Sequence, residues 1–364
     1  MKRRTNKKQS KNKKSIFSII FRVILIVSAI FLILSYLSVY INPAKIWLPS
    51  IFGIYFIPIL IINFILLLIV IVRRSSYLWI SVATILPSIL FLNYYYKSEE
   101  NKYETNENQI KIITYNVGRF FSHKQDISSY ECVTNITKFI EQENPDIICF
   151  QEFNIKDTAD IKMIFTEYKY YQYHLFKSST KDFFGNITFS KYPMVGGGKL
   201  TFKRSTNLSL FSDIDIKNKV IRVYNNHLES YNISLKSFIN RMNNREYNKA
   251  SGELKHAYDK IILTNKKRAE QVDAIVQNIK NVSNSIICGD LNDTPMSYTF
   301  NQLKKNHKDT FSEAGNGFGA TYSTFWPLLR IDFILTPPEF EIVEHRTPQI
   351  KWSDHYPVIS KFNI

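Results

Sequence analysis

Three long apolar runs open the chain, and short alternating patterns fill the rest. The first run spans residues 16–41 and is broken by a single cation, Arg22; its uninterrupted part, residues 23–41, would span ~28 Å as a helix. The second covers residues 46–72 and the third residues 77–96. None shows the polar face of a soluble helix, so the pattern predicts three transmembrane helices over 16–41, 46–72 and 77–96, within a membrane domain of residues 15–96. The first run is too long for a cleavable signal peptide, lacks a small-x-small cleavage site and is followed by two more runs.

A polar, charged stretch at 97–109 reads as a linker. From residue 110 the periods of strands and helices alternate. Strands are expected at 111–117, 146–150, 184–189, 208–216, 220–225, 285–288, 331–335 and 358–362, with a turn at 217–219. Helices are expected at 127–143, with Val133, Ile136, Phe139 and Ile140 on one face, and at 269–279. Residues 231–266 break the rhythm and read as a helical insertion. Strands outnumber helices. The expected fold of residues 110–364 is α/β: a four-layered sandwich of two mostly antiparallel sheets flanked by helices.

Charge changes the picture by its placement. The whole chain carries a net +16, but the first 100 residues hold 13 Lys and Arg against 2 acids, and the rest is close to balance. A basic total is therefore poor evidence for nucleic acid binding. Residues 1–14 form a tail with eight cations, the turn at 73–76 has two, and the stretch around 42–45 has one. The positive-inside rule places the tail and Arg73–Arg74 in the cytoplasm of an inner or plasma membrane. With three spans, the domain that follows lies outside. No ionisable side chain sits at mid-span, which argues for an anchor in the lipid bilayer rather than a transport path. Three cysteines suggest neither a disulfide framework nor zinc; Cys149 and Cys288 fall in apolar runs and read as small buried hydrophobes.

Candidate chemistry sits at the ends of the apolar strands. Asn116 follows 111–115, Gln151–Glu152 follow 147–150, and His227 follows 223–226. Asp290 and Asn292 follow 285–288, and Asp332 lies in the strand expected at 331–335, with Asp354–His355 further on. Carboxylates, amides and imidazoles at strand ends suit metal-assisted hydrolysis of a phosphoester. Three other features read as structural. Gly196–Gly198 is expected to be a flexible turn, Lys266–Arg268 a solvated helix face, and Asp293–Pro295 the shape of a turn.

These stretches (Thr114–Val117, Gln151–Glu152, Asn226–Leu228, Gly289–Asn292, Arg330–Asp332 and Ser353–His355) resemble the endonuclease/exonuclease/phosphatase superfamily, of the deoxyribonuclease, neutral sphingomyelinase and inositol polyphosphate 5-phosphatase type. The resemblance covers about residues 109–364. It implies Mg²⁺, with Mn²⁺ as an alternative, held by Glu152 and Asn116 with help from Asp354. It also implies catalytic roles for His227, Asp290, Asn292, Asp332 and His355, with Asp332 orienting His355 and Asp290 acting on the attacking water. Arg119 and Asn186 are candidates for substrate contact. The expected substrate is a phosphoester, either nucleic acid or phospholipid, with nuclease-type phosphodiester cleavage favoured. Hydrolysis of a lipid head group is the alternative, a tethered binding domain without catalysis is a reading of another class, and no protein partner is expected.

Overall fold

The computed structural model describes residues 2–98, 109–121, 128–178, 181–231, 247–325, 327 and 329–364. Its strands are β1 Tyr96–Lys97, β2 Gln109–Asn116, β3 Ile147–Ile155, β4 Tyr170–Lys177, β5 Phe183–Ser190, β6 Met194–Thr201 and β7 Leu208–Ile216. They continue with β8 Lys219–His227, β9 Ser285–Asp290, β10 Lys308–Asp309, β11 Gly317–Phe318, β12 Asp332–Thr336, β13 Glu341–Arg346 and β14 Val358–Asn363. One six-stranded sheet runs β13-β14-β2-β3-β5-β4 and the other β10-β12-β9-β8-β7-β6. Each has one parallel pair, β2–β3 and β8–β9, and is otherwise antiparallel. The expected α/β sandwich of mostly antiparallel sheets is the one that forms.

Period-two alternation builds the layers. Along β2, Ile110 and Ile112 face the other sheet, while Ile113 and Tyr115 face the helix Ser129–Glu143. Along β8, Ile221 and Val223 point inward, and Tyr224 points outward to Val272 and Ile275 of the helix Tyr247–Ile279. Cys149 and Cys288 are buried between the sheets. In the helix Ser129–Glu143 the buried face is Cys132, Ile136, Phe139 and Ile140; Val133 is exposed, one position off the stripe. The edge strands β4 and β13 escape a reading by apolar runs because they are only partly buried.

Two further expectations change. Gly196–Gly198 is not a turn but the middle of strand β6. A Cβ on Gly197 would stand 2.6 Å from Phe211 O, and one on Gly198 2.6 Å from the Phe211 ring, so glycine permits close approach here. The helix read at 269–279 starts at Tyr247 and is 33 residues long. The C-terminal part of the 231–266 insertion is thus the front of that helix; residues 232–246 lie outside the described residues, as do 99–108 of the expected linker.

The N-terminal runs need a larger correction. One helix, Lys2–Leu37, contains a segment, Ile16–Leu37, long and apolar enough to cross a membrane, a property shared with signal sequences. The expected span at 46–72 is two helices, Leu48–Ile54 and Phe56–Val72, bent by 77°. The expected span at 77–96 is a shorter apolar helical stretch, Leu78–Leu92, with a 3-10 turn at Leu86–Ser88. Prolines explain the breaks. Pro49 starts the first short helix, Pro58 lies in the first turn after the bend, and Pro87 sits in the 3-10 turn. Hydropathy registers length and apolarity but not these stops. The helices still gather into one unit. The Arg73 guanidinium stands over the Phe17 and Phe21 rings, 5.3 and 4.9 Å from their centroids, so Phe56–Val72 returns antiparallel to Ile16–Leu37. Side chains such as Ile20, Ile24, Ile61, Ile65 and Leu90 remain exposed.

Beside β12 lies a buried ion pair, Arg330 with Asp309, and next to it a buried imidazole, His345. Its Nδ1 is 2.8 Å from Thr310 Oγ1, whose hydroxyl donates to Ile334 O at 3.0 Å. Burial, reinforced by Arg330, pushes His345 down to about 3, against opposing pulls from Asp309 and Glu344. The folded state therefore holds it neutral, while the unfolded chain takes a proton near pH ~6.5. Stability from this group is complete above that pH and is lost as pH falls toward 3, at about 1.4 kcal/mol per unit. Thermal unfolding of a His345→Gln variant should therefore lose less stability between pH 6 and pH 4 than wild type, at roughly that slope. Parallel pH profiles for the two proteins would show that His345 is not held neutral.

Candidate active site

Register brings the polar stations together. In the parallel pairs, Asn116 lies opposite Gln151 and His227 opposite Asp290. The antiparallel β9–β12 pair sets Asp290 opposite Asp332. His227, Asp290 and Asp332 are thus neighbours across three adjacent strands. Local backbone does the rest. A β-bulge in β3 between Phe150 and Phe153 interrupts the alternation, burying Gln151 completely and leaving Glu152, at φ 50°, partly exposed. Gly289, at φ 122°, has no room for a Cβ, which would fall 2.0 Å from Asn226 O. Only glycine lets β9 approach β8 this closely just before Asp290.

Asp290 is the hub. Its Oδ2 accepts from Asn116 Nδ2 at 2.9 Å and Asn292 Nδ2 at 3.2 Å, and its Oδ1 accepts from the Asn292 backbone N–H at 2.8 Å. Two imidazoles face it: His355 Nε2 and His227 Nε2 are each 3.8 Å from Asp290 Oδ2. His227 Nε2 also lies 3.6 Å from Glu152 Oε1. On its other edge, His355 Nδ1 lies 2.9 Å from Asp332 Oδ2, and its ring stacks edge-on against Tyr322 at 5.1 Å. Asp354 stands by the loop after β2. Ser353 Oγ reaches both the Asn116 carbonyl, at 2.8 Å, and Asp354 Oδ1, at 3.3 Å, and a Cβ on Gly118 would lie 3.3 Å from Asp354 Oδ1.

The electrostatics follow from these contacts. Burial alone would push His355 down, but Asp332 and Asp290 together hold it well above the usual imidazole range, which favours its charged form. Burial, reinforced by Asp332, holds Asp290 above the usual carboxylate range, against downward pulls from His355, His227 and the Asn116 amide.

The eight residues expected at the site (Asn116, Glu152, His227, Asp290, Asn292, Asp332, Asp354 and His355) are brought to this strand end. The two substrate candidates differ. Arg119, half exposed, has Nε 3.9 Å from Glu152 Oε2 and stacks over Phe184 at 4.0 Å, so it stands at the mouth. Asn186 is fully buried between the sheets and donates to Asn225 O at 3.0 Å. There it belongs to a polar layer with Gln151 and Asn225, joined by a 2.7 Å hydrogen bond.

Arg268 and Thr321 escaped the sequence reading. Arg268, expected on a solvated face, is completely buried and donates to the carbonyls of Asn292 and of Glu229. Thr321 Oγ1 accepts the backbone N–H groups of Ile331 and Asp332, both at 3.0 Å, and so fixes the start of β12. A cation within a cationic triplet, or a lone threonine in a loop, carries no local signal of either role.

The donor set suits a hard divalent cation: four carboxylates, two amide oxygens and no thiolate. Asp290, Asp332 and His355 each bring a ligand atom within 4.8 Å of the others. Asp332 Oδ1 is buried and has no hydrogen-bond partner among the described residues. Asp332 Oδ2 is already engaged with His355 Nδ1, so that contact is a hydrogen bond and not a pair of ligands.

Comparison with known proteins agrees with this geometry. The model of the endonuclease/exonuclease/phosphatase family matches residues 113–355, and a domain of unknown function matches residues 17–95. No curated protein matches the chain by sequence. Among solved structures, an endonuclease/exonuclease/phosphatase from Beutenbergia cavernae is similar, with a TM-score of 0.54 and 16% identity over 71% of this chain and 72% of its own. The human Nocturnin catalytic domain gives a TM-score of 0.52 at 14% identity, over 72% of this chain and 96% of its own. Humanized D. rerio TDP2 gives 0.50 at 16%, over 71% of this chain and 100% of its own. By the family match over most of its length and by the fold it shares with these structures, the chain belongs to the endonuclease/exonuclease/phosphatase family.

Proposed function

We propose that this protein is a membrane-anchored, divalent-metal-dependent phosphoester hydrolase acting outside the cytoplasm, with phosphodiester cleavage of the nuclease type as its first activity. The observation that carries the reading is the buried cluster of Asp290, Asp332 and His355, with His227 facing Asp290 from the next strand. Glu152 and Asn116, assisted by Asp354, would hold Mg²⁺ or Mn²⁺, which when bound neutralises charge on the phosphate. The chain's own groups do the remainder. Asp332 orients the His355 imidazole and favours its charged form, so His355 Nε2 can donate to a phosphate oxygen. Asp290 is supported as an anion by three N–H donors and can take a proton from water. Asn292 holds Asp290 and so sets the direction of that transfer. His227, between Glu152 and Asp290, would face the same phosphate. Arg119 at the mouth would meet further negative charge on the substrate.

Orientation rests on one helix and one contact. Ser38 and Val39, just past the Ile16–Leu37 segment, touch Met296 and Asn301 of the catalytic domain. This contact supports a catalytic domain on the side opposite the basic tail, and the positive-inside rule favours a cytoplasmic tail. Arg73, beside Phe17, stands at the tail's end of the bundle. The same contact favours a second reading, a lipid head group as substrate, because it brings the domain against the membrane unit.

The test uses the full chain in detergent with bis(p-nitrophenyl) phosphate, and then plasmid, RNA, phospholipid vesicles and sugar phosphates. Activity should require Mg²⁺ or Mn²⁺ and disappear with chelator. Glu152→Ala, Asp290→Ala and His355→Ala should each lower kcat by roughly 10²–10⁴; wild-type turnover in Asp290→Ala would sink the mechanism. Hydrolysis confined to vesicles would select the lipid reading. A periplasm-dependent reporter fused after Ile364 should be active, and a cytoplasmic readout would reverse the orientation.

A further inference from the structure

The loop that carries Asn292 is gripped from the apolar unit. Met296, four residues beyond Asn292, buries its side chain with Leu32, Val39, Phe56, Ile59 and Tyr95. Its carbonyl lies 2.7 Å from Ser38 Oγ, whose single proton it shares with the Ser35 carbonyl at 2.6 Å. Gly53 leaves the space for this contact: a Cβ there would stand 2.2 Å from Met296 O and 2.3 Å from Ser38 Oγ. A second line runs through side chains. Ser50 Oγ accepts from Asn265 Nδ2 at 2.8 Å, and Asn265 Oδ1 accepts from Arg268 Nη2 at 2.6 Å. Arg268 then donates to the Asn292 carbonyl and, at 3.2 Å, to the Glu229 carbonyl. The loops after His227 and after Asp290 thus meet at one buried guanidinium tied to the apolar unit.

A mere tether would not need this arrangement. Burying an arginine carries a desolvation penalty that only a full set of partners offsets. Here the compensation comes from the Asn292 and Glu229 carbonyls, from Asn265, which is bonded to the anchor, and from the Asp293 carboxylate 3.5 Å from Arg268 Nε, an atom that makes no hydrogen bond among the described residues.

We propose that the apolar unit is a positioning part of the active site: through Ser38, Gly53 and Ser50 it sets the Leu291–Ser297 loop, and with it Asn292 and Asp290. This rests on the hydrolase reading and adds that turnover depends on docking between the two parts of the chain. None of these residues touches the reacting atoms; they act through Met296 and Arg268. Displacement of a catalytic group by about 1 Å can cost up to ~10²-fold in rate.

Gly53→Ala is the sharpest probe, because alanine suits a helix and yet wedges against the Met296 carbonyl. The full chain is assayed in detergent with Mg²⁺ and bis(p-nitrophenyl) phosphate. Gly53→Ala should lower kcat about tenfold or more with KM little changed; the wedge also strains the packing and should lower the thermal transition, so Ser38→Ala, which adds no atoms, separates lost positioning from lost stability. Ser38→Ala should lower kcat more mildly. Gly252→Ala, at a helix position with nothing within 4 Å of the new Cβ, should behave as wild type. Amide hydrogen exchange across Leu291–Ser297 should be faster in Gly53→Ala than in wild type. Wild-type kcat and KM in both Gly53→Ala and Ser38→Ala would overturn the proposal. If wild type hydrolyses none of the phosphoesters offered, the hydrolase reading fails by itself. Exchange then decides this inference: faster exchange supports the grip, and unchanged protection removes it.

Discussion

Two carboxylates buried side by side make the central demand on this structure. Asp290 and Asp332 face each other across β9 and β12, and each is about 1% exposed. Like charges in a low-dielectric interior repel strongly and lose their hydration, so the surroundings must supply compensation. Much of the neighbouring architecture does this. Asn116 and Asn292 bring N–H donors, His355 brings a positive charge, and Asp332 still has an oxygen without a partner among the described residues. A divalent cation held nearby by Glu152, Asn116 and Asp354 would add positive charge to this compensation, which ties the electrostatics of the site to the chemistry proposed for it.

Unusual backbone surrounds this pair at the strand ends. Glu152 and Asn292 have positive φ, at 50° and 51°, and Gly289 sits where no side chain fits. Such conformations are unfavourable in isolation and persist where the surroundings over-determine them. The bulge in β3 separates the duties of two adjacent residues. Gln151 turns inward to bond Thr114 and Asn225, and Glu152 turns toward the mouth. Rigid strands on both sides of a bulge hold a side chain more firmly than a loop would.

The contact between the apolar unit and the catalytic domain gives the molecule a shape that a tether would not. Tyr96–Lys97 pairs as a strand with Gly317–Phe318, and Arg330 donates to the Tyr94 carbonyl while holding Asp309. The ion pair, the neutral His345 beside it and the grip on Met296 lie along this junction. Stability and site geometry thus share residues there.

Some of this was legible in the chain alone. Residues at the strand ends declared themselves because a carboxylate, amide or imidazole after an apolar run is conspicuous, and eight of them followed one pattern. The apolar run at 111–117 was enough to show a strand, and the structure adds that it starts earlier and is buried on both faces. Hydropathy found the three apolar runs but not the 77° bend, because a proline stop is a matter of backbone geometry and not of polarity. Arg268 read as solvated because burial of a cation depends on partners distant in sequence, Glu229, Asn292 and Asp293. The glycines of β6 read as a turn because their neighbours, Gln172 and Phe211, come from other strands. Local pattern thus determined which polar residues stand at strand ends and which segments become strands. The tertiary structure alone decided which distant groups touch, since register, bulges and the docking of the apolar unit are set by contacts between residues far apart in the chain.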